Sequence, residues 1–501
     1  MMPGTGILSF VAVIAVLVFA GTLIFWLMRN SNQKNRPQSA AAGNRRKKDG
    51  SGQKPGAGNA PGKTVIPENK HPISRRDISE PALKVINRLN SQGYEACLVG
   101  GCIRDLYLDL HPKDFDIATN ASPEEVRKLF RNSRLIGRRF KLVHVLFGRE
   151  IIEVATFRAG HEQHHSQEKS RHSQSGRILR DNVYGSLEED ALRRDFTVNA
   201  LYYDGRDASV IDYCQGIDDI RTGTLRLIGD PTTRYHEDPV RMLRAIRFAA
   251  KLDFSMAPET EQPIDQLGHL LLDIPPARLF DEVLKLLQSG DGVKTFELLR
   301  QHRLFGHLFP ATESALDEAA VGHQQTNALI TESLRSTDQR VRQGRPVTPA
   351  FLFAALLWAP MRQLSKELMD QGMPPIPAYQ QASMTVIGNQ CNHTAIPRRF
   401  SMVIRDIWDL QLRLERRQPK MIESLLSHPK FRAAYDFLVL RERSGEPLSG
   451  AGAWWTEIQE SDEYARHTMI NTLASQRPRG APGQKRRRRR RKPRPAEGGE
   501  S

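Results

Sequence analysis

The sequence predicts an α/β catalytic domain followed by an all-helical body, and three observations carry that prediction. Between Leu98 and Phe157, short apolar runs with two-residue alternation flank a helix that begins on a capping signal. Within that region, LVGGCIRDLYLDLHPKDFDIAT (Leu98 to Thr119) places a diglycine, an Arg-Asp pair and an Asp-x-Asp in 22 residues. From Asp253 onward the apolar residues recur at helical spacing with few strand runs, at Arg278 to Gln288, Ala350 to Trp358, Leu410 to Arg417 and Arg432 to Arg441.

The chain begins with Gly6 to Met28, GILSFVAVIAVLVFAGTLIFWLM, 23 residues without a charged side chain. As a helix it is about 35 Å long, against a hydrocarbon core of about 30 Å. It is expected to be a single transmembrane helix. No basic segment precedes it, whereas Arg29, Lys34, Arg36 and Arg45 to Lys48 follow, which places the rest of the chain at the cytoplasmic, inner face of the cell membrane. The alternative is an upstream start codon that adds a segment absent from the natural protein. Residues 29–72 read as a basic flexible linker, with Gly43 to Pro61 rich in Gly, Lys, Asn and Pro. Folding is expected to resume near Ile73.

The catalytic domain is expected over 73–229. Asp77 to Gln92 carries helical spacing at Leu83, Val85, Ile86 and Leu89. Leu98 and Val99 then end a buried strand, Gly100 and Gly101 form a turn whose backbone N–H groups can approach a triphosphate, and Ile103 to Asp109 form a short helix. Asp114 and Asp116 follow on a second strand. Alternation puts both carboxylates on one face and turns Phe115 and Ile117 into the core. Two anions held so close repel each other unless a cation joins them, and a hard, oxygen-seeking cation suits the pair: Mg2+, with Mn2+ as an alternative. A lone Asp-x-Asp is more often a solvated turn; the diglycine and Arg104-Asp105 upstream turn the reading towards nucleotidyl transfer. Ser122 with Glu125 makes a capping box and Pro123 a first helical residue, predicting a helix over Ser122 to Asn132. Phe140 to Phe147 and Glu150 to Phe157 flank Gly148-Arg149 as a hairpin. In its second strand Glu153 shares a face with Ile151 and Ala155, so it is expected to point among apolar side chains. There it either supplies a third metal carboxylate or is a surface residue on an edge strand.

Charge is unevenly placed. Of the net +16, residues 29–76 carry +10 and residues 477–501 carry +9, leaving −3 for residues 77–476. Basicity in the tails marks a nucleic-acid footprint outside a nearly neutral body. Cys97, Cys102, Cys214 and Cys391 have no CxxC pairing and read as structural thiols of a reducing compartment. His161, His164, His165 and His172 lie in a polar run without apolar periodicity, which reads as a mobile loop and not as a metal site.

Three ordered motifs carry a family resemblance: Gly100-Gly101-x-x-Arg104-Asp105 with Asp114-x-Asp116, then RRDFTVNAL from Arg193 to Leu201, then EDPVRMLR from Glu237 to Arg244. They resemble the class II nucleotidyltransferases, which comprise the bacterial poly(A) polymerases and the CCA-adding tRNA nucleotidyltransferases. The resemblance covers about Lys70 to Trp455 and implies a polymerase-β-like nucleotidyltransferase domain. Leu135 to Val145, LIGRRFKLVHV, with IIEVATFR after it and an arginine-rich C-terminus, resembles the poly(A) polymerase branch.

That resemblance implies template-independent addition of AMP from ATP to RNA 3' ends, which promotes RNA decay, by two-metal attack of the RNA 3' hydroxyl on the ATP α-phosphate. It implies Mg2+ on Asp114 and Asp116, and a triphosphate held by Gly100, Gly101, Arg104 and Asp105. Arg194, Asn199, Asp238, Arg241, Arg244 and Arg247 are the further nucleotide-binding candidates. Asp195 is expected as a further catalytic or nucleotide-positioning carboxylate, in competition with Glu153; its alternative is an ion pair with Arg193 or Arg194. Asp238 and Arg241 are expected to present an acceptor and a donor to the adenine edge, although the same pair in CCA enzymes reads both cytosine and adenine. The implied partners are RNA 3' ends and RNA-decay proteins, with the enzyme a monomer. Two alternatives stay open: a CCA-adding enzyme, and a catalytically silent membrane-anchored RNA-binding protein.

Beyond the catalytic domain, residues 230–290 are expected to form a nucleotide-reading and RNA-binding helical neck, 291–470 a helical body and 471–501 a disordered tail. In that tail Lys485, Arg486, Arg487, Arg488, Arg489, Arg490, Arg491 and Lys492 form an unbroken basic octet suited to RNA phosphates without sequence readout. The N-terminal reading is checked by fractionation. Alkaline carbonate is expected to leave the full-length protein in the membrane pellet, and its release into the supernatant refutes the anchor.

Overall fold

The computed structural model describes residues 62–137, 141–159 and 184–476. The anchor at 6–28, the histidine-rich run, Arg138 and Arg139 of the GRRF run, and the octet Lys485 to Lys492 lie outside the described residues. Among the described residues no helix is long and apolar enough to cross a membrane.

Eight strands form one sheet in the order β1-β8-β7-β2-β3-β6-β5-β4. These are β1 (Thr64–Ile66), β2 (Ala96–Val99), β3 (Asp116–Thr119), β4 (Ser133–Ile136), β5 (Leu142–Phe147), β6 (Glu150–Thr156), β7 (Leu201–Asp204) and β8 (Val210–Asp212). Every pairing is antiparallel except β3 with β6, which runs parallel. The expected hairpin is β5–β6. The linker expected to run to residue 72 ends earlier, because Thr64–Ile66 pairs with β8 and closes that edge of the sheet. The helix expected over Ser122–Asn132 keeps its capping box, with Ser122 Oγ accepting from the Glu125 N–H and Glu125 accepting from the Ser122 N–H, but it ends at Leu129. Asn132 is drawn instead into bonds with the main chain of Leu146 on β5.

One face of the sheet is a core. Leu98, Ile117, Val143, Val145, Ile152 and Val154 are buried against the helices Glu80–Ser91 and Pro123–Leu129, through Val85, Ile86, Leu89 and Val126. Each such side chain contributes about 1.5–3 kcal/mol by leaving water. On the opposite face Val99, Ala118, Tyr202 and Ile211 are covered by Leu187 and Ala191 of the helix Leu187–Leu192. That cover stops short of β6 and β5, so the face is open where Asp116, Glu153 and His144 stand. Glu153 shares this open face with Ile151, which is 47% exposed, and with Ala155, as its alternation required, while Ile152 and Val154 take the core side.

The chain leaves the sheet through the helix Val240–Leu252. Val240, Met242, Leu243, Ile246 and Ala249 are its buried stripe, as the apolar spacing requires. Beyond it the described residues are helical except for Ser255–Met256, which pairs in parallel with Thr224–Leu225. The helix Glu463–Gln476 extends past the expected start of the tail at 471.

The turn after β2 determines where the site sits. Gly100 adopts φ +83° and ψ −133°, a conformation open to glycine alone, and a Cβ there meets Arg194 Nη1 at 3.4 Å. Gly100→Ala is expected to lower folding stability by about 1–3 kcal/mol in urea unfolding. An unchanged unfolding midpoint refutes that assignment of strain.

Candidate active site

The β2 turn delivers the chain into the seven-residue helix Gly101–Tyr107, which starts two residues before the expected Ile103. The Gly100 N–H is used inside the fold, donating to the Leu201 carbonyl at 3.1 Å. The Gly101 N–H lies in the first helical turn, where no intrahelical acceptor is available to it. Asp114 lies just before β3, and Asp116 is its first residue. Solvent reaches both carboxylates, while Phe115 and Ile117 are buried between and beyond them, so the alternation holds.

Parallel pairing of β3 with β6 sets Asp116 beside Glu153, and antiparallel pairing of β6 with β5 sets Glu153 beside His144. His144 Nε2 is 3.4 Å from Glu153 Oε2. Partial loss of hydration, the negative charge of Glu153 and that of Asp114 push the Asp116 carboxyl up to about 6, against a smaller opposing pull from Arg194. Among the described residues neither Asp114 nor Asp116 forms an ion pair. Nor do three ligating side chains there close around an ion on their own. A divalent cation fits this arrangement: oxygen donors, unbalanced negative charge and ligand positions left for substrate oxygens.

The neighbouring cations are already engaged. Asp190, buried on the helix Leu187–Leu192, accepts from Arg193 at 2.6 Å, from Arg194 at 3.1 Å and from the Tyr202 hydroxyl at 2.7 Å. Burial alone raises this carboxyl, but Arg194 and Arg193 override it and hold it below the usual range. Arg104, also buried, donates to Asp105 at 2.8 Å and to the Asn199 side-chain oxygen, and lies 5.3 Å over the Phe248 ring. Asp105 takes a second cation, Lys251, at 3.7 Å.

Asp195 is paired with neither Arg193 nor Arg194. Its carboxylate accepts from Arg244 Nε at 2.7 Å and from the Phe196 N–H at 2.9 Å, with Asn199 Nδ2 at 3.4 Å. Although burial raises it, Arg244 holds it low. The bond pins the RRDFTVNAL segment to the helix Val240–Leu252. On that helix and just before it, Arg241 donates to Glu237 at 2.7 Å and to the Arg234 carbonyl at 2.8 Å, and Asp238 accepts from Arg278 at 2.7 Å. Arg247 differs: among the described residues it has no carboxylate partner, its Nε is buried without an acceptor, and its guanidinium sits 4.8 Å from the Phe248 centroid.

The structure thus gathers Asp114, Asp116 and Glu153 on one face, and Arg104, Asp195, Asn199, Arg244 and Arg247 around Phe248 and Phe196. Reading the sequence missed His144, Asp190, Tyr202 and Arg278, whose partners are set by strand register or lie far along the chain. Glu237, four residues before Arg241 on a helical period, was visible as a pairing signal.

A sheet that carries an Asp-x-Asp without an ion pair among the described residues, beside a glycine turn and joined to a helical body, defines a nucleotidyltransferase. Residues 96–226 match the poly A polymerase head domain, 253–316 a probable RNA and SrmB-binding site of polymerase A, and 371–494 the polymerase A arginine-rich C-terminus. Poly(A) polymerase I of Salmonella typhimurium is 51% identical over 417 residues, 82% of this chain and 89% of its own. The chain belongs to the poly(A) polymerase I family. A CCA-adding enzyme of Lactobacillus helveticus is 39% identical over 230 residues, 46% of this chain and 55% of its own. A solved tRNA-processing enzyme in an apo form shares the fold at 21% identity, with TM-score 0.54 over 80% of this chain and 98% of its own.

The raised Asp116 carboxyl carries a pH dependence with a definite sign. Without metal, ionising Asp116 costs folding stability as pH rises from about 4 through about 6, so Asp116→Asn is expected to raise Tm above pH 6 and to have no effect below pH 4. Divalent-ion affinity is expected to fall as pH drops through about 6, where a proton competes for the site. Calorimetry across pH checks both, and a pH-independent difference in Tm refutes the assignment.

Proposed function

We propose that this chain adds AMP from ATP to RNA 3' ends without a template, releasing diphosphate, by two-metal chemistry at Asp114, Asp116 and Glu153. The observation that carries this reading is the like charge of Asp116 beside Glu153 and Asp114, with no cationic side chain among the described residues in an ion pair with the Asp-x-Asp. Mg2+, or Mn2+ in its place, bound there supplies positive charge to the attacking 3' oxygen and to the phosphate that departs. Glu153 is assigned the third carboxylate role, since the Asp195 carboxylate is already bonded to Arg244 and acts as a positioning group.

The chain's own residues arrange the substrates. The Gly101 N–H and Arg247, the cation on the helix stripe without a carboxylate partner among the described residues, are assigned to the triphosphate. Arg104, Arg194 and Asn199 are held by Asp105, Asp190 and Asp195 and shape the wall around it. Asp238 and Arg241 are assigned to the adenine edge. Their bonds to Arg278 and Glu237 restrict how either side chain can turn, which supports selection of one base over two. The basic octet Lys485 to Lys492 is assigned to RNA phosphates, with affinity that falls as salt rises. Tailing is proposed to mark RNA for decay, at the inner face of the cell membrane where Gly6 to Met28 tethers the chain.

The test supplies the full chain with Mg2+, a generic RNA primer and single nucleotides. Long tails from ATP alone are expected, and Asp116→Ala is expected to reduce tailing to background while leaving primer binding in place. Addition of two cytidines and one adenosine to a truncated tRNA, with no tailing of the generic primer, overturns the reading in favour of a CCA-adding enzyme.

A further inference from the structure

Register places four polar side chains side by side across the open face of the sheet: Arg134 on β4 opposite His144 on β5, His144 opposite Glu153 on β6, and Glu153 opposite Asp116 on β3. Directly paired residues share a face, with side chains close enough to interact. The rest of this face is apolar around the row, with Leu142 and Leu146 on β5 and Ile151 and Ala155 on β6. A polar file in such surroundings is held by its own members.

Glu153 has a particular need of a holder. Asp116 lies beside it in register and Asp114 is two residues away, so mutual repulsion drives the Glu153 carboxylate outward from the metal position unless something on its other side restrains it. Its side chain is 45% exposed and has room to turn. On the side away from Asp116 stands His144, 28% exposed, with Nε2 at 3.4 Å from Oε2. We infer that His144 is a positioning residue: a ring N–H directed at one Glu153 oxygen keeps the other facing Asp116. Across β2 the register continues from Asp116 to Val99, whose aliphatic side chain neither donates nor accepts, and Arg194, which attracts Asp116, is itself bonded to Asp190. Among the described residues the contact that restrains Glu153 itself comes from the β5 side.

This role rests on the assignment of Glu153 as the third carboxylate. It adds a residue from the LIGRRFKLVHV stretch to the metal site through a contact that only strand pairing makes. Partners that orient metal-binding groups typically change metal affinity or activity by about 10–100-fold when removed.

The experiment measures tailing by the full chain as a function of Mn2+ concentration, with ATP and primer saturating, and Mn2+ affinity directly by electron paramagnetic resonance. His144→Phe is expected to raise the half-maximal Mn2+ concentration by about 10–100-fold while leaving KM for ATP at saturating metal unchanged. His144→Gln, which keeps an N–H donor, is expected to restore most of the loss. In a Glu153→Gln background His144→Phe is expected to add nothing, since the restraint then has no carboxylate to act on. Wild-type metal dependence in His144→Phe, equal damage from Phe and Gln, or additive effects in the double variant each overturn the inference. Wild-type metal dependence in Glu153→Gln alone overturns the underlying assignment instead, so the two failures are distinguishable.

Discussion

Unbalanced negative charge at the start of β3 is the constraint around which the catalytic half of the molecule is arranged. Arg194 acts on Asp116, yet the fold gives it and the other motif arginines another acceptor: Asp190 for Arg193 and Arg194, Asp105 for Arg104, Asp195 for Arg244 and Glu237 for Arg241. Had any of these bonded Asp114 or Asp116, the site would be an ordinary surface ion pair. Because they do not, the cheapest remedy for the repulsion is an ion from solution, and such an ion still has ligand positions for phosphate oxygens. In the proposed reading, directing these cations elsewhere is what leaves room for a metal.

The same pairings make a scaffold. Asp195 joins the RRDFTVNAL segment to Arg244 of the third motif, and Arg234, just before that motif, donates to the carbonyls of Arg193 and Arg194, so the second motif is held both by the third and by the turn of chain leading into it. Phe196 meets Phe248 edge-on at 5.6 Å within that joint. Motif residues that resemble a ligand-binding set thus divide in two. Asp195, Asn199 and Arg244 hold one another, whereas Asp114, Asp116 and Arg247 have no counter-charge paired to them among the described residues. Charged groups in the second set are the ones whose electrostatics a nucleotide and its metal can complete.

Wherever an element is defined by its own residues, the sequence was a reliable guide. The capping box at Ser122 and Glu125 formed, and the apolar stripe of Val240–Leu252 was buried as its spacing required. The β5–β6 hairpin closed at Gly148-Arg149, and the alternation of Asp114, Phe115, Asp116 and Ile117 appeared in their exposure. β1 and β4 were not legible because each is three or four residues long and is specified by its partner; for β1 that partner lies well over a hundred residues away. Glu153 kept the face it shares with Ile151 and Ala155, but whether that face is core or open was not legible for a related reason. Alternation separates a strand into two faces, but which one is the core depends on where the helices Glu80–Ser91 and Pro123–Leu129 land.

What the sequence by itself determined was the chemistry available and the family: an Asp-x-Asp behind a glycine turn, three motifs in order, and basic residues concentrated at the two ends. Those are properties of residue type and spacing, which survive without coordinates. Only the tertiary structure decided which carboxylate meets which cation, since Asp195 finds Arg244 across 49 positions and Asp238 finds Arg278 across 40. Ion pairs and strand register depend on proximity in space. No periodicity along the chain encodes that proximity, so the assignment of Glu153 and His144 to the metal face had to come from the pairing of β3, β6 and β5.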